Sequence, residues 1–139
     1  MKWKKNGPYY QLRLERGEEI IQTLTQFVQS RRLKSGTLTG LGAGTDLELG
    51  CYNLKRKKYH RRLFKGEYEI CSLVGNIAWD DKTPILHIHL VISNERLTTY
   101  SGHLFAGRVA ATCEIAILPG TVRLIRRLEP DSGLKLLQL

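Results

Sequence analysis

The chain is poor in sulfur, in acidic residues and in long apolar runs, and each shortage excludes something. Its three cysteines, Cys51, Cys71 and Cys113, lie far apart among 139 residues with no C-x-x-C pair. A disulfide framework and a cysteine-based zinc module are therefore excluded. The odd count, and the apolar or alternating surroundings of each cysteine, predict buried reduced thiols and a cytoplasmic setting. No local motif makes any of the three a nucleophile. No stretch of about eighteen apolar residues occurs, and the basic opening MKWKKNGPYY is followed by QLRLERGEE instead of an apolar segment. Neither a membrane span nor a signal peptide is expected. Acidic residues number 13 against 22 Lys and Arg, a formal charge of +9. That balance favours encounter with nucleic acid or another polyanion, but net charge supplies attraction and not specificity.

Hydrophobic residues make up 42% and charged residues 25% of the chain, a composition suited to a folded protein with one core. A single domain over residues 1–139 is expected, with a short basic segment at 1–9. Internal repeats and low-complexity stretches are missing. In GEEIIQTLTQFVQSRRL, Ile20, Ile21, Leu24, Phe27 and Val28 recur at helical spacing. Glu18 and Glu19 fall in the predicted first turn and Arg31 and Arg32 near the end, as the helix dipole favours. Nearly everything else alternates in strand fashion: 10–14, 37–41, 47–54, 67–79, 85–92, 97–100, 109–118 and 121–128. Leu118-Pro119-Gly120-Thr121 reads as a tight turn. The fold class is α+β: a largely antiparallel sheet of about seven strands with one main helix lying against it.

Two local signals invite a functional reading. GLGAG at 40–44 resembles part of a dinucleotide fingerprint, but that motif needs a helix after its glycines, and here the following residues alternate. It reads as a glycine-rich loop. KRKKYHRR at 55–62 carries six positive residues in eight positions. Lys55, Arg56, Lys57, Lys58, Arg61 and Arg62 are candidate phosphate contacts; runs like this are also commonly plain solvated loops. His60 reads as an ordinary exposed histidine.

The other three histidines lie within 86–107, LHIHLVISNERLTTYSGHLFAG. His87 and His89 sit at i and i+2 of an alternating stretch, so their rings stand on one face of a strand. Ser93-Asn94-Glu95 can reverse the chain. With the turn centred between Asn94 and Glu95, His89 opposes Tyr100 and His87 opposes Gly102, and His103 lies next to His87. A one-residue slip would turn His103 to the other face. Three neutral imidazoles with an open fourth position suit zinc or a similar divalent ion. The ordinary alternative is three structural or exposed histidines. Glu114 is the carboxylate to watch as a fourth ligand or a general base, against its commoner role as a salt-bridge partner.

GEYEICSLVGNI at 66–77, HIHL at 87–90, SGHLFAG at 101–107 and VAATCEIAI at 109–117 follow GEEI, the helix and GLGAG in a particular order. In that order the chain resembles the PPC domain ("plants and prokaryotes conserved"), from about Leu12 to Ile117, as a stand-alone prokaryotic member. The resemblance implies an antiparallel sheet packed on helices and a homotrimer. By it, His87, His89 and His103 match the histidines of metal-binding members. Ser101 stands where many relatives have glycine. The related acetolactate decarboxylase fold also uses a three-histidine metal. In plant members the AT-hook, an Arg-Gly-Arg-Pro core, lies outside the domain; here the only Gly-Arg, Gly107-Arg108, is followed by Val109.

Two functions follow as expectations. One is a homotrimeric DNA-binding or regulatory module whose metal, zinc by its ligand set, braces the sheet, with the basic run contacting DNA. The other is a metal-dependent lyase or hydrolase acting on a small oxygenated anion. There Glu114 would move a proton and Arg108 would attract a carboxylate.

Overall fold

The computed structural model describes residues 1–139. In chain order the elements are β1 (Lys2–Asn6), β2 (Tyr9–Glu15), α1 (Ile20–Ser30), β3 (Ser35–Asn53), β4 (Lys58–Asp80), β5 (Thr83–Ser93), β6 (Thr99–Gly120), β7 (Ile125–Glu129) and β8 (Leu134–Gln138). The α+β class and the single helix agree with the sequence reading; the strands number eight.

At eleven residues α1 is shorter than an isolated helix needs to persist in water, so packing must hold it. Ile20, Leu24, Phe27 and Val28 are 0–2% exposed, and each such side chain contributes roughly 1.5–3 kcal/mol on burial. The helix begins one residue later than its acidic pair suggests. Glu19 is the N-cap, its carboxylate accepting from the Gln22 N–H, and Arg31 is the C-cap. The buried stripe lies against β5 and β6.

The strands run in the order β1-β2-β6-β3-β4-β7-β8, and β5 pairs with both β4 and β6. Because β3 also pairs with both β4 and β6, these four strands close into a circuit. Every pairing is antiparallel except that of β4 with β7, which consists of Trp79 opposite Ile125. The inward residues of the circuit and the helix stripe together form one core of 23 buried side chains, so the chain has one hydrophobic centre and not two.

Several local expectations are corrected. GLGAG is not a loop: it continues β3 through register shifts around Gly42. A Cβ on Gly40 would sit 2.5 Å from the Glu114 carbonyl oxygen, so these glycines let β3 approach β6. Pro119 and Gly120 remain in β6 opposite Gly36 and Ser35, and the chain bends just after them. The basic opening is the edge strand β1. Only Cys113 is buried, which pushes its thiol up to about 12; Cys51 and Cys71 are exposed, on outward positions of β3 and β4.

Candidate metal centre and its cavity

β5 sorts its side chains by parity. Leu86, Ile88 and Leu90 point into the core at 9%, 0% and 1% exposure, which turns His87 and His89 out together. On β6, His103 lies directly opposite His89 and also opposite Gly50 of β3. This corrects the expected hairpin register. Tyr100 opposes Ile92, not His89, because the connection is wider than a turn centred on Asn94 and Glu95. Asn94 Oδ1 accepts from the N–H groups of Arg96 and Thr98, and Leu97 adopts a left-handed φ of 61°. Directly paired residues share a face, so all three imidazoles converge.

The His87 and His89 Nε2 atoms are 3.1 Å apart, and one ligand nitrogen from each of the three rings falls within 4.8 Å of the others. Tetrahedral zinc with imidazole ligands needs nitrogens roughly 3.3 Å apart. The set therefore fits a divalent ion after small side-chain rotations. His103 Nδ1 is buried with no hydrogen-bond partner. Burial is the first cause holding His87 and His103 below the ordinary histidine range, His103 at about 4, with neighbouring cationic groups adding to it. Both rings are therefore neutral near pH 7, the state a metal requires.

The triad opens into a cavity of about 700 Å³ whose far wall comes from β7 and β8. Arg126, only 7% exposed, ties that wall to the triad. Its guanidinium donates to the Lys135 carbonyl and to Asn76 Oδ1, both at 2.8 Å, and meets His87 Nδ1 at 3.1 Å. Arginine can only donate, so with no ion bound Nδ1 of a neutral His87 accepts and its Nε2 carries the proton, towards His89; an ion held by Nε2 would move that proton to Nδ1 and release Arg126 from this contact. Tyr59 packs at a tilt between Tyr52 and His103, with ring centroids 4.8 and 5.4 Å away, and burial raises its phenol. Sequence reasoning missed both Arg126 and Tyr59. Tyr59 lay inside the basic run, and nothing local marks Arg126, which arrives through the single β4–β7 pair.

The remaining candidates lie elsewhere. Glu114 is on the other half of β6, opposite Arg13, in a groove with Lys2 and Lys4. Arg108 donates to the Gly17 carbonyl beside the start of α1. Neither lines the triad cavity. The basic run forms the exposed tip of the β3–β4 hairpin. Within it Lys57 donates to the Pro130 carbonyl, Arg61 lies 3.6 Å over Phe105 and pairs with Glu48, and Arg62 covers Phe64 and Tyr100. Lys55, Arg56 and Lys58 make no such side-chain contact.

Comparison with solved structures places this geometry among similar proteins. A Bacteroides thetaiotaomicron protein described as a "putative DNA-binding protein" is 28% identical, with a TM-score of 0.95 over 99% of this chain and 96% of its own. A metal-containing protein from Archaeoglobus fulgidus is 27% identical, with a TM-score of 0.89 over the full length of both. A plant- and prokaryote-conserved (PPC) protein from Pyrococcus horikoshii is 25% identical, with a TM-score of 0.88 over 99% of this chain and 94% of its own. No curated protein matches the sequence. The model of the Plants and Prokaryotes Conserved (PCC) domain matches residues 1–120, and the chain belongs to that family.

Proposed function

We propose that this chain is a metal-carrying binding module: a homotrimer in which His87, His89 and His103 of each copy hold one zinc-class ion, and whose basic hairpin associates with DNA or a similar polyanion. The observation that carries the reading is the convergence of three imidazole nitrogens within 4.8 Å. When bound, such an ion cross-links strands and leaves one position open to a further ligand. His103 is where β3, β5 and β6 meet, so an ion there would brace the point at which the circuit closes. Lys55, Arg56 and Lys58 are the cations free to meet phosphates, and a trimer would present three such tips at once.

Elemental analysis of untagged protein purified without chelator, beside His89→Ala, tests the metal. About one ion per chain, lost in the variant, is expected; no metal in either protein sinks the reading. For the polyanion, duplex DNA is titrated at several salt concentrations against a Lys55/Arg56/Lys58→Gln triple variant. Weaker binding and a shallower salt slope in the variant are expected, and identical behaviour removes the hairpin from the account. Light scattering reads the trimer.

The cavity favours a second reading, a metal-dependent lyase or hydrolase acting on a small oxygenated anion. Tyr59 and Arg126 then border the ion in place of Glu114 and Arg108. Metal-dependent turnover within a panel of small anions would establish it.

A further inference from the structure

Arg126 is a buried cation without a counter-charge. Its two terminal nitrogens meet a carbonyl, an amide oxygen and an imidazole, all neutral, and its Nε has no partner. No carboxylate lies within ion-pair distance of it. A buried charge in that condition is costly unless something of opposite sign completes its surroundings. The cavity beside it sharpens the imbalance. Among the 19 residues lining it there is no Asp or Glu, and the other cation, Lys135, is already engaged by Asp80. A divalent ion held by three neutral imidazoles would keep its full charge in the same space.

Most of the remaining lining is apolar or aromatic, with Ser72 and Ser101 adding two hydroxyls. Tyr52 and Tyr59 line the cavity together with Leu134 and Leu136 of β8. A phosphate-rich or heavily hydroxylated ligand would leave this wall unused, whereas a flat or aliphatic body would cover it. The β7–β8 hairpin lies beyond residues 1–120, so the wall that selects the body is built outside the segment the family model describes.

We propose that the cavity is a binding site for a small organic monocarboxylate, its anionic end at the triad's ion and within the field of Arg126, its apolar body against the tyrosines and the β8 leucines. The inference rests on the metal half of the reading above. The class takes aromatic and longer or branched aliphatic acids, whose bodies cover that wall, and excludes acetate-sized acids and free phosphate.

Benzoate and acetate are titrated into protein loaded with cobalt(II), followed by the visible spectrum of the ion and by calorimetry. Benzoate is expected to alter the cobalt spectrum and to bind at least ten-fold more tightly than acetate. Leu136 is 40% exposed, so its replacement leaves the core intact. With one cobalt per chain retained in both variants, Leu136→Glu should bind benzoate at least ten-fold more weakly than Leu136→Lys. An unchanged cobalt spectrum in fully loaded protein overturns the proposal, as does equal benzoate affinity in the two variants. Equal affinity for acetate and benzoate removes the apolar wall from it and overturns the stated class. A chain that takes up no cobalt fails the metal reading and this one together.

Discussion

The two halves of β6 do different work with the same alternation. From Val109 to Ile117 the alternation buries Val109, Cys113, Ile115 and Ile117, each at most 1% exposed, and breaks only at exposed Ala111, where the register with β3 shifts; α1 packs against this strand. From Thr99 to Phe105 the strand instead runs along a cavity, with His103 outward beside His89. Three buried polar atoms of the protein have no hydrogen-bond partner within it: His103 Nδ1 and Arg126 Nε border that cavity, and Thr112 Oγ1 lies in the core-facing half. The difference teaches where stability and function separate. One half of the strand is closed mainly by apolar contact, and the other borders a cavity whose unpartnered polar atoms are left to water or a ligand.

The sharpest break in that comparison should be a cavity made under the helix. Leu24 is fully buried, and Leu24→Ala should cost about 3 kcal/mol in denaturant unfolding. The metal content of the surviving folded protein should not change. A simultaneous loss of metal would mean that the two halves are one cooperative unit.

Acid should act on the other half. In the metal-free protein burial holds His103 at about 4 and His87 below its ordinary value, so the folded state binds fewer protons than the unfolded state between about pH 6.5 and 4. Stability therefore falls as pH drops through that window, and the loss from His103 is complete below about pH 4. Allowing for partial exposure, the expected loss is about 2 kcal/mol. His103→Gln should flatten the dependence in urea unfolding measured across this range. A slope unchanged in the variant would place the acid sensitivity elsewhere.

Much of the core half was legible in the sequence, because alternation and helical spacing report which side of an element is apolar. Leu12, Leu14, Ile20, Leu24, Ile88, Leu90, Ile115 and Ile117 all lie where their periods place them. The histidine pair was legible for the same reason. The third histidine required the loop from Asn94 to Thr98, whose geometry depends on one side-chain cap and one left-handed residue, and no period encodes it. Arg126 was out of reach altogether. It comes to His87 from 39 residues away through a short strand attached by one bridge, and IRRLE reads equally well as an exposed edge. Glycine misled at GLGAG because the residue that permits a loop also permits two backbones to touch.

Glu19 links the two halves. One carboxylate oxygen caps α1 at Gln22, and the other accepts from the Gly107 N–H on β6 at 3.1 Å, at the junction between the core-facing and cavity-facing stretches. A lost N-cap costs about 1 kcal/mol. Glu19→Gln keeps an acceptor for one of these bonds and should lose about half of that. Glu19→Ala should lose all of it and expose the Gly107 amide to faster hydrogen exchange. If the bond to β6 serves the helix alone, exchange should quicken only at Gln22 and its neighbours. If it holds the junction, the amides of Gly107 and Val109 should quicken with it while those of Ile115 and Ile117 stay protected.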